Sequence, residues 1–234
     1  MDLIDLETLK TAPLTVVGRL VDASNATLFA TINIGTNEEI PVVYKPKAGE
    51  RPLWDFPHET LANREVAAYE ISELLGFRCV PPTVLREGPY GIGAVQQWID
   101  VDESADVIEI GQSDLPQIRS LALFDAVINN TDRKFGHILV TSAEEIFGCD
   151  HGVSFHTEDK LRTVIWQFAG KELDLNERNA LQKSSEELSR RGMLEPLLST
   201  KEIEALLGRI ERLLTENQFP FPSDEWPAIP WPPV

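Results

Sequence analysis

The chain changes its local pattern once, close to its middle, and this change limits the folds that it can adopt. The first half contains short runs of β-branched and alternating residues, such as "LTVVGRLV", "ATLFATINI" and "IPVVYKP". Such runs, separated by Asn, Gly and Asp clusters, are typical of antiparallel strands. The second half contains helical patterns, of which "STKEIEALLGRIERLLTEN" is the clearest. The sequence therefore predicts an α+β fold, with a β-rich N-terminal lobe over residues 1–98 and a mainly helical C-terminal lobe over residues 99–234.

Two segments do not follow this simple division. The stretch "LANREVAAYEISELLGF" lies between strands but has an apolar helical face, and Gly76 is placed to end the helix. The tail "FPFPSDEWPAIPWPPV" contains too many prolines for a helix or a central strand, so we expect it to lie extended on the surface. A ligand for a proline-binding domain is the functional alternative for this tail.

The composition of the chain argues against several classes of function. With a net charge of −17 and no block rich in Lys and Arg, the chain lacks the cationic surface that nucleic acids require. The same charge opposes stable association with an anionic membrane, and no apolar run is long enough to span a bilayer. The two cysteines match no disulfide or metal spacing, which favours a cytoplasmic location.

A charged stretch, "NNTDRKFGHILV", lies between two segments that are apolar enough to be buried. It places Asp, Arg, Lys and His within six positions. One interpretation is a solvated turn between a helix and a strand. The other is a catalytic loop, and the remaining charged residues decide which interpretation to prefer.

Four groups follow one another in an order that suits phosphoryl transfer. Lys45 ends a strand, Glu65 lies on the next helix, Asp132 and Arg133 lie in the charged loop, and Asp150 follows a later strand. Each is weak evidence alone, since surface lysines and local ion pairs are common. Together they supply a cation for the phosphates, a partner that fixes it, a proton acceptor and a metal ligand. We therefore favour the catalytic loop.

These motifs resemble the phosphatidylinositol 3- and 4-kinase-like superfamily. Within it, the chain is similar to a small bacterial, chiefly actinobacterial, family of kinase-like proteins. "YKP" resembles the lysine strand, "EVAAY" the glutamate helix, "VPPTV" the following strand, "NNTDRKFGH" the catalytic loop and "CDHGVSFH" the metal-binding motif. The resemblance extends from about residue 18 to about residue 156, and it implies a two-lobed protein-kinase-like fold that binds ATP with Mg²⁺ or Mn²⁺.

The resemblance also implies a role for each of the charged residues. Lys45 corresponds to the lysine that binds the phosphates, and Glu65 to the glutamate that holds it. Asp132 corresponds to the catalytic aspartate, and Arg133, beside it in the catalytic loop, is also predicted to be a catalytic residue. Asp150 corresponds to the metal ligand.

The nucleotide contacts can be located in the same way. "DASNAT" occupies the position of the turn that covers the phosphates, so backbone N–H groups near Ser24 and Asn25 are expected to contact them. "VQQWI" occupies the connection between the lobes, where backbone groups of Gln97, Trp98 and Ile99 are expected to meet the adenine.

Two departures from the superfamily pattern affect the predicted reaction. His137 stands five residues after Asp132, where related kinases carry a metal-binding asparagine, so we predict that His137 is a metal ligand. The part of the chain after Asp150 is short compared with the helical region that lipid kinases use for their substrate. We therefore expect an ATP-dependent kinase for a hydroxyl group on a soluble small molecule or protein. A non-catalytic nucleotide-binding module, a lipid kinase and an AMP transferase remain alternatives.

Overall fold

The computed structural model describes residues 3–20, 25–35 and 38–234, apart from the side chain of Arg191. Its first part is a five-stranded antiparallel sheet with the strand order β1-β2-β3-β5-β4. The strands are β1 (Leu14–Arg19), β2 (Leu28–Asn33), β3 (Glu39–Pro46), β4 (Thr83–Gly88) and β5 (Gly91–Gln97). The predicted antiparallel sheet is therefore confirmed, and it ends where the helical part of the chain begins.

Helices and one short hairpin make up the rest of the fold. The helices are α1 (Leu6–Thr11), α2 (Leu61–Leu75), α3 (Val107–Gly111), α4 (Pro116–Ile128), α5 (Leu175–Arg191) and α6 (Thr200–Glu216). The hairpin pairs β6 (Ile138–Val140) with β7 (Ile146–Gly148), and a 3₁₀ turn, Phe135–His137, precedes it. The α+β fold with a β-rich first part and a helical second part agrees with the prediction.

Helix α2 lies between the sheet and the helical part of the chain. Its residues Ala62 and Val66 pack near Ala94 of β5, whereas Ile71 and Leu75 belong to the main core, which α4, α5 and α6 share. The helix ends at Gly76, whose φ of +73° lies in the left-handed region that glycine adopts without strain. A helix that is buried on both sides is held by both parts of the protein.

The sheet has a small core of its own on the face away from α2. Val42, Tyr44 and Val95 contribute to this core, and Leu9 of α1 covers it. The guanidinium group of Arg86 donates hydrogen bonds to two carbonyl oxygens at the C-terminal end of α1 and so fixes the helix to the sheet.

The proline-rich tail forms no regular helix or strand, as predicted, but it is hydrogen-bonded to the helical part of the protein. The N–H of Phe135 donates to the carbonyl of Pro233 over 2.9 Å, and the N–H of Thr163 donates to the carbonyl of Ala228 over 3.0 Å. The indole N–H of Trp166 also donates to Ala228. The tail therefore borders the loop that contains the charged stretch. No helix in the described parts of the chain is both long and apolar enough to cross a membrane.

Candidate functional site

The side chain of Lys45 joins three segments that are distant in sequence. Lys45 lies near the end of β3, paired with Ala94 of β5, which fixes its backbone within the sheet. Its ammonium group donates a hydrogen bond to Glu65 of α2 and another, of 2.8 Å, to Asp150 after β7. The structure therefore brings together the three residues that the sequence separates by up to 105 positions.

The charges in this cluster influence one another strongly. Burial alone would lower the pKa of the Lys45 ammonium, but the carboxylates of Asp150 and Glu65 outweigh burial and raise it. Lys45 also holds the pKa of Asp150 well below its usual range. Burial raises the pKa of Glu65, although the same ammonium opposes this effect. The lysine is therefore positively charged throughout the physiological pH range.

The backbone around Asp150 has an unusual conformation. Asp150 has a φ of +60°, in the left-handed region that a non-glycine residue occupies at some cost in free energy. The next N–H, of His151, donates a 3.0 Å hydrogen bond to Glu65. The side chain of Asp150 is 52% exposed and lines a cavity together with Lys45 and Glu65. Its neighbours therefore hold the aspartate where a cation could reach its carboxylate.

Asp132 is held by the buried residues that precede it. The N–H of Asp132 donates to the side-chain oxygen of Asn130 over 3.0 Å, and the amide of Asn130 donates to Asp125 over 2.9 Å. The carboxylate pairs with Lys134 at 3.3 Å. Burial raises the pKa of Asp132 above its ordinary value, and Lys134 opposes this shift. A raised pKa makes the carboxylate a better proton acceptor.

The structure does not support the predicted catalytic role of Arg133. The Arg133 side chain is 0% exposed and forms an ion pair with Asp125, which is also fully buried. Its remaining N–H groups donate to the carbonyls of His137 and Cys149 and to the ring of His151. Because all of these groups lie within the protein, Arg133 cannot contact a nucleotide. It connects the predicted catalytic loop to the segment around Cys149 and His151.

His137 lies next to the carboxylate of Asp150. Its Nε2 atom is 3.6 Å from the Oδ2 atom of Asp150. Burial lowers the pKa of His137, so the ring is neutral at physiological pH, which is the form that can bind a metal. Among the described residues, no three potential metal ligands form a cluster. Two protein ligands are enough for Mg²⁺ or Mn²⁺ where phosphate oxygens supply the others, so the residues fit this type of metal site.

Two adjoining cavities meet at Lys45 and Asp150. The larger, of about 440 Å³, lies between the sheet and the hairpin and is lined mainly by apolar residues, among them Leu20, Val43 and Leu139. The smaller, of about 80 Å³, is lined by apolar and polar residues, and the charged ones include Asp132 and Glu65. An apolar cavity that leads to a charged one is suited to a ligand with a planar base at one end and phosphates at the other.

The three residues predicted to meet the adenine line the larger cavity, but two of their N–H groups are already engaged. The N–H of Gln97 donates to Pro82, and the N–H of Trp98 donates to Pro41. An adenine would therefore use the carbonyl groups of this segment or the N–H of Ile99. This refines the prediction for Gln97, Trp98 and Ile99, since the interstrand hydrogen bonds of the sheet continue into the connection.

The predicted phosphate-covering turn is only partly described. Ser24 lies outside the described residues. Asn25 lines the smaller cavity, but its side-chain oxygen accepts a 2.8 Å hydrogen bond from the N–H of Arg51. The next N–H groups, of Ala26 and Thr27, also donate within the chain. The side chain of Asn25 therefore connects this position to the loop that follows β3.

Sequence reasoning missed the buried residues that hold the site together. These residues are Asp125, Asn130 and His151, which are each 0% exposed and connect the predicted catalytic loop to the segment after β7. Burial lowers the pKa of His151 well below its ordinary value, so its ring is neutral. The one signal in the sequence was the presence of polar residues next to apolar runs, which does not identify their partners.

Comparison with known proteins gives one relative of similar length. Protein Rv2133c of Mycobacterium tuberculosis is 38% identical over 258 aligned positions, which cover 94% of this chain and 91% of the relative. The chain belongs to the family of this mycobacterial protein. No protein-family model matches the sequence.

Several solved structures have a similar fold. The Golgi casein kinase with Mn/ADP bound has a TM-score of 0.58 at 15% identity and covers 90% of this chain and 74% of its own. Hydra Fam20 with sugar has a TM-score of 0.58 at 14% identity, and the alignment covers 90% of this chain and 86% of Fam20. The Helicobacter pylori proinflammatory kinase CtkA has a TM-score of 0.52 at 12% identity, and the alignment covers 89% of this chain and 94% of CtkA. These similarities show that the chain has a protein-kinase-like fold.

Proposed function

We propose that the protein is an ATP-dependent phosphotransferase that acts on a hydroxyl group. The observation that carries the proposal is the single ammonium group of Lys45, which is hydrogen-bonded to both Glu65 and Asp150 at the meeting point of the two cavities. A lysine fixed by a helix glutamate, beside an aspartate that faces the phosphates, is the arrangement that phosphoryl transfer from ATP requires.

Each residue has a definite task in this proposal. The ammonium of Lys45 binds phosphate oxygens, and Glu65 keeps it in place. A Mg²⁺ or Mn²⁺ ion, held by Asp150 and His137 together with phosphate oxygens, would neutralise the charge of the phosphates. Asp132 accepts the proton of the acceptor hydroxyl. The hydroxyl oxygen then forms a bond to the γ-phosphorus, the bond between that phosphorus and the bridging oxygen breaks, and ADP leaves.

The cofactor and the more specific family assignment belong to the same proposal. A structural neighbour binds Mn/ADP, which supports a nucleotide and a divalent metal here. The order of the motifs supports membership of the phosphatidylinositol 3- and 4-kinase-like superfamily, with lobes at residues 1–98 and 99–234. The structural neighbours are named for other kinase groups, so this assignment rests on the motifs in the sequence.

The acceptor in the proposed reaction is a soluble small molecule or a protein in the cytoplasm. The net charge of −17 disfavours phosphoinositide headgroups and nucleic acid, which are both polyanions. Neither stable membrane association nor nucleic-acid binding is part of the proposal.

A non-catalytic nucleotide-binding module is the second candidate function. The presence of His137 in place of a metal-binding asparagine favours it, because an imidazole that did not bind the metal would leave one ligand fewer, which can abolish transfer but leave nucleotide binding intact. Incubation of the protein with ATP labelled at the γ-phosphate and a cell extract would distinguish the two candidates. A labelled acceptor that disappears with Asp132→Asn supports the kinase, and tight Mn-ATP binding without transfer supports the module.

The position of the label also tests the related reactions. If ATP labelled at the α-phosphate also labelled the acceptor, the protein would be an AMP transferase and not a kinase. If the label were recovered in extracted lipid, the acceptor would be a membrane lipid and not a soluble molecule. If isothermal titration detected binding of neither Mg-ATP nor Mn-ATP, both candidate functions would be refuted.

A further inference from the structure

Helix α2 carries Glu65, and the residue before it is Arg64, a buried arginine with a different set of partners. Arg64 is 1% exposed, although arginine is rarely buried without partners. One of its terminal nitrogens donates to the carbonyl of Ser154 over 2.6 Å, and the other pairs with Glu202 of α6. The guanidinium group also lies over the ring of Phe56, 4.7 Å from its centroid.

The two polar partners of Arg64 belong to different parts of the helical lobe. Ser154 lies in the segment that follows Asp150, four residues after it. Glu202 belongs to a capping box at the start of α6, in which it also accepts a hydrogen bond from the N–H of Ser199. One guanidinium group therefore connects the helix of Glu65 to the segment of Asp150 and to the scaffold of the lobe.

Other contacts fix α2 at both of its ends. The amide of Asn63 donates to the carbonyl of Leu197, and the hydroxyl of Ser184 donates to the carbonyl of Leu74. Gly152, which follows Asp150 closely, packs against α2, and a Cβ atom there would lie 3.3 Å from the Cβ of Leu61. Since these contacts are at least partly buried and come from several elements, they leave α2 little freedom to rotate.

We propose that Arg64 is a positioning residue that holds Glu65, and through it Lys45, at a fixed distance from Asp150. Glu202 is the anchor of Arg64. The inference rests on the proposed function for its catalytic consequence. In addition, the pair of Lys45 and Glu65 is assembled before the nucleotide binds, and its geometry depends on a contact between α2 and α6.

The chain contains a matched control for this contact. Glu177 is also the N3 glutamate of a capping box, at the start of α5, and it also pairs with an arginine from another helix. That arginine, Arg119 of α4, has no contact with the Lys45 cluster among the interactions of the described residues. Glu202→Gln and Glu177→Gln remove the same charge from the same type of cap, but only the first is predicted to disturb Glu65.

The experiment compares the two variants with the wild type well below their unfolding temperatures. Isothermal titration with Mn-ATP should give an affinity about tenfold weaker for Glu202→Gln and unchanged for Glu177→Gln, since small displacements of positioned groups are costly. Arg64→Met should behave like Glu202→Gln. Equal losses of affinity in the two glutamine variants, or no loss in either, would overturn the proposal.

A second measurement does not depend on nucleotide binding. Hydrogen exchange of the ligand-free protein should be faster in α2 and at the N–H of His151, which donates to Glu65, in Glu202→Gln but not in Glu177→Gln. Unchanged exchange in α2 would overturn the proposal even if ATP affinity fell. If the wild type bound no nucleotide, the proposed function would fail, whereas the exchange data would still decide the role of Arg64.

Discussion

Lys45 and Asp150 are 105 residues apart in the sequence, yet the ammonium of Lys45 donates a 2.8 Å hydrogen bond to the carboxylate of Asp150. The same ammonium is bonded to Glu65, so one positive charge serves two carboxylates. In the ligand-free protein the lysine therefore partly neutralises the carboxylate that we propose as the metal ligand. Binding of a metal and phosphates would free this ammonium to contact the phosphates instead.

Replacement of Lys45 by Met should weaken nucleotide binding by about tenfold to a hundredfold, the usual value of one charged hydrogen bond. The reason is the loss of the one ammonium that joins Glu65 and Asp150. Isothermal titration with Mn-ATP measures this effect. Lys171→Met is a suitable control, because Lys171 forms an exposed ion pair with Asp114. Equal affinities for wild type and Lys45→Met would contradict the assignment.

Replacement of His137 by Asn should shift the metal preference of the protein. Mn²⁺ accepts an imidazole nitrogen more readily than Mg²⁺, which prefers oxygen ligands. We expect Mn²⁺ to support nucleotide binding better than Mg²⁺ in the wild type and His137→Asn to favour Mg²⁺ relative to the wild type. Titration of both proteins with ATP and each metal gives the ratio of affinities. An unchanged ratio would mean that His137 does not bind the metal.

Replacement of Arg133 by Met should reduce stability, because it leaves the buried carboxylate of Asp125 without its cation. The loss of one partner from a buried ion pair typically costs about 3–5 kcal/mol in the free energy of unfolding. Urea denaturation measures this cost. The double variant Asp125→Asn, Arg133→Met should recover part of it, since no buried charge is then left unpaired. A fully stable but inactive Arg133→Met would instead indicate direct participation in catalysis.

The stability that Glu202 contributes should depend on pH. Burial alone would raise the pKa of Glu202, but Arg64 and the hydrogen bonds from Ser199 lower it below its ordinary value of 4.5. The contribution is thus fully present above pH 4.5 and is lost as the pH falls through the lower pKa of the folded state. The difference in unfolding free energy between wild type and Glu202→Gln should therefore be largest near neutral pH. A difference that stays constant down to pH 3 in urea denaturation would count against this origin.

Much of the fold could be predicted from local patterns. The alternating runs predicted β1, β2 and β3, Gly76 marked the end of α2, and the helical pattern of "STKEIEALLGRIERLLTEN" predicted α6. Each of these signals depends on residues within a few positions of one another. The order of Lys45, Glu65, Asp132 and Asp150 was informative for the same reason, since each residue lies in a recognisable local motif.

The sequence by itself thus determined the type of the longer strands and helices, the α+β class and the candidate residues of the site, whereas the short helices α1 and α3 were not predicted. Only the tertiary structure decided which charged residues are buried. Asp132 and Arg133 are neighbours, but Asp132 lines the smaller cavity and Arg133 pairs with Asp125 in the interior. It also decided that Arg64 meets Glu202, 138 residues away. The physical reason is that helix and strand patterns depend on near neighbours, whereas a buried charge depends on partners that only the folded chain brings within hydrogen-bonding distance.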